Sequence, residues 1–266
     1  MNRRMAFASV ALLIASTIEC GCTVIVNQKA DSTDGNDRVV VNSGNKYIIP
    51  DKNIITRSGE CKGLLEIEAS TAIKVLYIES EGDNYVIAAP SNVMPYVRCE
   101  YDDGKLEMGF RNSPGFKNSP NVTVTVYAPK LEKVELHGAS SLESARITNP
   151  GGKMEFDLSG ASSVSLENIE LSTLDLDLSG ASSIVVKALK ASVLKAELSG
   201  ASGANLSGTA AYADFDVSGA SSLSAKNLKV DKGNAECSGA SNAEVNIKTP
   251  LNFESSGMSK ISNAAK

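Results

Sequence analysis

Leu174-Asp175-Leu176-Asp177-Leu178-Ser179-Gly180-Ala181-Ser182 is the phrase that decides the fold of this 266-residue chain. Its first five residues alternate apolar and acidic, which is the period of a strand with one face buried. The Ser-Gly-Ala-Ser that follows interrupts the alternation with a corner. The same phrase occurs as Glu135 to Ser140 (with His137 in place of the first serine), Asp157 to Ser162, Asp177 to Ser182, Glu197 to Ser202, Asp216 to Ser221, Glu236 to Ser241 and, in decayed form, Glu254 to Ser259. Its glycines are 22, 20, 20, 19, 20 and 18 residues apart. Self-similarity at that period is the signature of a solenoid in which each repeat is one turn stacked on the last.

Each corner fixes the positions around it. Four residues before the glycines stand Val134, Phe156, Leu176, Ala196, Phe215, Ala235 and Phe253; two before stand Leu136, Leu158, Leu178, Leu198, Val217, Cys237 and Ser255. Between them, three before the glycine, an acid is present in all seven copies. A second alternating run follows the corner, with Leu142, Val164, Ile184, Ala204, Leu223, Ala243 and Ile261 four past the glycine. Helices would need apolar residues three and four apart, so the turns are built of strands. Glycine supplies a backbone of positive φ, alanine leaves room between successive turns, and serine can bond its own backbone or the matching serine one turn away. The expectation is an all-β, single-stranded, right-handed parallel β-helix with rungs of about 20 residues, since strand-to-parallel-strand crossovers are nearly always right-handed. At about 4.8 Å per rung the rod is on the order of 30 Å long.

The ends of the chain read differently. Asn2-Arg3-Arg4 precedes an apolar stretch from Met5 to Ile18, then Glu19-Cys20-Gly21-Cys22, so 1–22 reads as an export signal of lipoprotein type with Cys22 the expected lipid attachment and Cys20 the other candidate. The apolar run is too short for a membrane span. Residues 23–44 read as a polar tether, and 45–266 as the β-helix head, with 45–128 a less regular first portion covering one end of the rod and 129–266 the regular repeats. Removing residues 1–21 takes away Arg3, Arg4 and Glu19, a net +1, and turns the stated −5 into −6. That acidic balance argues against nucleic acid as a partner. Cys61 and Cys99 are candidates for a disulfide in an oxidising envelope, while Cys237 occupies an inward slot as a small hydrophobe.

The repeated Asp-Leu-Ser-Gly-Ala-Ser-Ser, entered through Pro129-Lys130-Leu131-Glu132-Lys133-Val134, resembles the family of bacterial envelope proteins called the putative auto-transporter adhesin head GIN domain. The resemblance covers about 45–266. It implies a parallel β-helix and an exported protein typical of Bacteroidetes-like bacteria, and it carries no catalytic residues over.

Three features bear on chemistry. The acids Glu135, Asp157, Asp177, Glu197, Asp216, Glu236 and Glu254 would stack as a column of like charge, compensated by bound Ca²⁺, by lysines such as Lys133, Lys153 and Lys195, or by solvent alone. The serines form no nucleophile set, because the one histidine, His137, can serve one rung only. The stretch Phe110-Arg111-Asn112-Ser113-Pro114-Gly115-Phe116-Lys117-Asn118-Ser119-Pro120 says Phe-basic-Asn-Ser-Pro twice, which places aromatics beside cations on a Pro/Gly loop. Phe110, Arg111, Phe116 and Lys117 are therefore the candidate contacts with a surface protein or glycan; folding of the two phenylalanines back onto the rod's end is the alternative. The functional expectation is a non-catalytic, adhesin-like exported protein of the outer membrane or cell surface, with the periplasmic face the alternative, held to the membrane by lipid only and without a cofactor. The competing classes are a glycan lyase or hydrolase and a purely structural envelope protein.

Overall fold

The computed structural model describes residues 24–25, 39–42, 45–112 and 115–265. Its strands begin with β1 (Val24–Ile25) and the antiparallel pair β2 (Val39–Asn42) and β3 (Asn45–Ile48). There follow β4 (Ile54–Glu60), β5 (Glu66–Ala69), β6 (Ile73–Glu79), β7 (Asn84–Pro90), β8 (Val97–Asp102), β9 (Lys105–Phe110) and β10 (Val122–Ala128). The repeats are β11 (Lys133–Leu136), β12 (Ser141–Leu158), β13 (Ser163–Leu178), β14 (Ser183–Leu198), β15 (Gly203–Val217), β16 (Ser222–Cys237), β17 (Asn242–Val245), β18 (Ile247–Ser255) and β19 (Lys260–Asn263).

From β11 onward every pairing is parallel and links residues one repeat apart, so the fold is the expected β-solenoid. The seven corner glycines hold φ between 69° and 74°. They stack so closely that a Cβ on Gly160, Gly180, Gly200, Gly219, Gly239 or Gly257 would lie 2.6–2.8 Å from the carbonyl oxygen of the glycine one rung below. That carbonyl accepts the next alanine's N–H, as in Ala181 to Gly160 at 2.7 Å. The corner is thus fixed twice, by dihedral and by space.

The second serine of each corner points inward and is buried from Ser140 to Ser241. In every one of these corners but that of Ser221 its hydroxyl donates to the carbonyl three residues back, as Ser182 does to Ser179 at 2.8 Å and Ser241 to Ser238 at 2.9 Å. Several reach the rung below as well: Ser202 donates to the Leu178 carbonyl at 3.2 Å and Ser241 to that of Val217 at 2.8 Å. Ser202 and Ser221 meet directly at 3.3 Å. A serine can be buried at this point because the corner offers carbonyls that the strand ladder does not use.

The uneven glycine spacings have local causes. The 22-residue repeat carries its extra residues between Asn149 and Lys153, where the register with β13 shifts. The 19-residue repeat loses one opposite Val186 and Leu189, at Gly208, whose φ of 129° and lack of a side chain let it pass the Leu189 carbonyl. The core adapts by size: Leu176, Ala196, Phe215 and Ala235 stack in one column, so bulk in one rung is matched by its absence in the next.

The first portion is a cap whose order in space inverts its order in sequence. β5 and β6 form one rung directly beneath the first repeat, paired parallel with β11 and β12. β9 and β10, later in the chain, form the rung beneath that one, paired parallel with β5 and β6. The end is then closed by antiparallel strands: β8 lies against β9, β7 against β10, and β4 against β7. The segment read as a tether also contributes strands. Val24 and Ile25 of β1 pair antiparallel with Arg57 and Thr56. The opposite end is finished by Asn263, whose side chain accepts from the Ile247 N–H and donates to the Ile247 carbonyl, both at 2.9 Å, in the manner of one more strand. Cys61, Cys99 and Cys237 are free thiols in this structure, Cys61 and Cys237 buried and Cys99 half-buried.

Candidate functional site

The outward faces of the rungs align the acids in one column, and the column is longer than the repeat predicts. Register joins Glu100 to Glu107, Glu107 to Glu68 and Glu68 to Glu135, below Asp157, Asp177, Glu197, Asp216, Glu236 and Glu254. The three added carboxylates belong to the cap. They precede no Ser-Gly-Ala-Ser and so escape a search keyed on the corner; alternation within Leu65-Glu66-Ile67-Glu68 and Lys105-Leu106-Glu107-Met108 was the available signal.

Cations neutralise only the lower part of this column. Lys105 meets Glu66 at 2.7 Å, Glu68 at 2.8 Å and Glu135 at 3.1 Å, and Arg98 meets Glu107 at 2.9 Å. Lys133 reaches Glu135 at 2.5 Å, while in the column beside it Lys153 bridges Asp175 at 2.6 Å and Glu155 at 3.1 Å. Burial opposes charge on Lys105, yet hydrogen bonds to Glu66, Glu68 and Glu135 hold its ammonium well above the ordinary lysine range. Burial likewise opposes charge on Glu135, and the Lys133 and Lys105 hydrogen bonds nonetheless pull its carboxyl below its usual value. In the upper part, Asp157, Asp177, Glu197, Asp216, Glu236 and Glu254 have no ion pair among the described residues. Desolvation, then the charges of Asp157 and Glu155, push the Asp177 carboxyl up. Of the lysines named in the sequence reading, Lys133 pairs with a carboxylate of the column, Lys153 pairs with Glu155 and Asp175 in the neighbouring one, and Lys195 makes no ion pair among the described residues. One carboxylate per rung makes a rail of single ligands: among the described residues no three His, Cys, Asp or Glu side chains are grouped to hold a metal ion.

The loop after β9 brings Phe110 and Phe116 together with ring centroids 4.8 Å apart, tilted by 57°. Both rings are half-buried against the core, as the fold-back alternative expects. The loop is tied down where Gly115 accepts from the Ile48 N–H at 2.9 Å and Lys117 donates to the Ile48 carbonyl at 3.0 Å. Arg111 and Lys117 stay exposed, with Arg111 lying 3.7 Å from Glu100 at the foot of the acidic column. The four loop residues singled out in sequence are therefore gathered at one end of the rod. Cys22 and the rest of the export signal lie outside the described residues.

His137 Nδ1 lies 2.7 Å from Ser159 Oγ. The equivalent serines in other rungs use that hydroxyl to reach a carbonyl below, as Ser179 does to Leu158. The histidine therefore substitutes for a corner hydrogen bond, and it lines none of three cavities on the described surface. Those cavities are shallow surface grooves. One of about 430 Å³ is lined by Leu76, Ile78, Glu79, Glu143 and Arg146, and another of about 260 Å³ by Asp216, Glu236 and Glu254. Among the described residues no helix is long and apolar enough to cross a membrane.

Solved structures share this architecture. A putative adhesin from Parabacteroides distasonis superposes with a TM-score of 0.69 at 20% identity, over 82% of this chain and 98% of its own. A putative lipid binding protein from the same species gives 0.73 at 17%, over 82% and 100%. A putative adhesin from Bacteroides fragilis gives 0.63 at 19%, over 81% and 99%. At such identities the likeness is one of fold. No curated protein matches the chain. The sequence profile of one family spans residues 64–265, the two cap rungs and all seven repeats together, and the chain accordingly belongs to the putative auto-transporter adhesin, head GIN domain family.

Proposed function

We propose that the protein is an exported, non-catalytic adhesin-like module, anchored through a lipid on Cys22, that binds a surface protein or glycan with the capped end of its rod. The observation that carries this reading is the placement of Phe110, Phe116, Arg111 and Lys117 on one pinned loop at that end. An aromatic pair beside two exposed cations offers stacking surface together with hydrogen-bond donors, and a pinned loop loses little entropy on binding. Family membership supports the adhesin-like role, since the family is described by that activity.

The test has two arms. Intact cells are treated with external protease while wild type and Cys22→Ala are labelled with palmitate; digestion and Cys22-dependent label support surface anchoring, and protection overturns it. Separately, the purified head is applied to arrays of glycans and extracellular proteins. A ligand whose binding falls at least tenfold in Arg111→Glu/Lys117→Glu supports the loop. Undiminished binding of that ligand removes these residues from the contact. Both cations are exposed, so the variant leaves the core untouched.

A further inference from the structure

The cap holds two cysteines that belong to none of the features above. Cys61 follows the end of β4 and is fully buried; Cys99 lies in the middle of β8 and is half-buried against the same core. Two ties hold the segments side by side. Arg57 Nη2 donates to the Val97 carbonyl at 3.0 Å, and the Tyr101 hydroxyl donates to the Lys62 carbonyl at 2.5 Å. Between Arg57 and Lys62 on one side, and Val97 and Tyr101 on the other, stand Cys61 and Cys99.

A third contact narrows the gap. The Tyr85 ring lies across Gly59 so closely that a Cβ there would be 2.4 Å from its hydroxyl oxygen, and that hydroxyl is hydrogen-bonded to Cys99. Cys99 is thereby held over Gly59, two residues along the chain from Cys61, and close enough to Cys61 for the charge of one sulfur to be felt by the other. We propose that Cys61 and Cys99 form a disulfide when the chain folds in an oxidising compartment, stapling edge strand β8 to the end of β4. Cys237, in a distant rung, stays a thiol.

Each thiol gives up its proton, the two sulfurs bond, and two electrons pass to a disulfide oxidant, which is reduced to two thiols. In the folded chain, burial pushes the Cys61 thiol up to about 11 and Cys99 up to about 12, so neither forms thiolate readily. The bond therefore forms while the cap is assembling, and once closed it is sheltered. It serves an edge that needs it: among the described residues β8 pairs with β9 alone, and the positions linked are 38 residues apart, a loop long enough for closure to restrict the unfolded chain substantially.

The experiment is refolding of the full chain with reduced and oxidised glutathione, alkylation under denaturing conditions, and tryptic mapping. It does not depend on where the protein resides, so it stands apart from the proposed anchoring and binding. The expected product joins residues 58–62 to residues 99–105, with Cys237 recovered alkylated, and the same product from Cys237→Ser. Recovery of Cys61 and Cys99 as separate alkylated peptides, or either joined to Cys237, overturns the proposal. Cys61→Ser/Cys99→Ser should lower the midpoint of thermal unfolding by roughly 10 °C relative to the oxidised wild type. An unchanged midpoint overturns the stapling role.

Discussion

The repeats and the cap turn the same corner by different means. In the repeats a glycine at φ near 70° sits on top of another glycine, whose carbonyl leaves no space for a Cβ. In the cap, the corner between β5 and β6 is turned by Thr71 and Ala72 at φ of 63° and 62°. What lies beneath differs: β9 and β10 are joined by residues 111–121 rather than by a Ser-Gly-Ala-Ser corner. Glycine is therefore required by stacking as much as by dihedral. A corner that stacks on another must be glycine, and one that does not can carry a β-branched residue at some cost.

Substitution separates the two terms. Gly180→Ala meets both the left-handed dihedral and the Gly160 carbonyl oxygen at 2.7 Å, which is backbone and cannot move aside alone. A loss of about 3–5 kcal/mol by denaturant unfolding is expected, in the range of the severe steric mutations. Gly63→Ala has a similar φ of 77° but nothing within 4 Å of the new Cβ, so only the dihedral penalty of about 1–2 kcal/mol should remain. Equal losses at the two sites would show that stacking contributes nothing and that the comparison rests on φ alone.

This distinction also explains what could be read in the sequence. The stacked corners leave a signature because each one has the same two constraints; from it the strand positions, the buried column Phe156-Leu176-Ala196-Phe215 and the acidic rail of the repeats all follow. The cap has no such repetition. Its inverted rung order, with β9 and β10 beneath β5 and β6, depends on long-range pairing that alternation in a single strand cannot specify. The same holds for the tether: Val24-Ile25 was too short an apolar pair to stand out, yet it finds a partner on β4. At the candidate contact loop, the doubled Phe-basic-Asn-Ser-Pro showed which residues to inspect. It could not show that the two rings would stack on each other with Arg111 and Lys117 outside.

Charge divides the two regions as sharply as the corners do. Lys105 serves Glu68 and Glu135 of the lower column and Glu66 beside it with its side chain only 29% exposed, so Lys105→Met leaves them facing one another in a partly dry setting. We expect a loss of roughly 1–2 kcal/mol, screened to less by high salt. Lys187→Met, which breaks a more exposed pair with Glu167, should cost under about 0.5 kcal/mol. If the two losses coincide, the lower column is no more organised than an ordinary surface.

The smallest effect has the opposite sign. Asp177 faces Asp157 and Glu197 along the column without an ion pair among the described residues, and its folded carboxyl is raised. The folded state thus holds a proton there more readily than the unfolded state. The stability this confers is complete below the unfolded value near 3.9 and is lost as pH rises through the folded one. Glu135, lowered by Lys133 and Lys105, runs the other way: its contribution is present above its unfolded value and is lost as pH falls through the folded one. Asp177→Asn should accordingly be more stable than wild type at pH 7 by a few tenths of a kcal/mol, with the gain shrinking as the pH is lowered toward 4 and as salt is raised. A variant no more stable than wild type at pH 7 and low salt would mean that the upper column carries no net repulsion, and the contrast in charge between cap and repeats would then be one of geometry only.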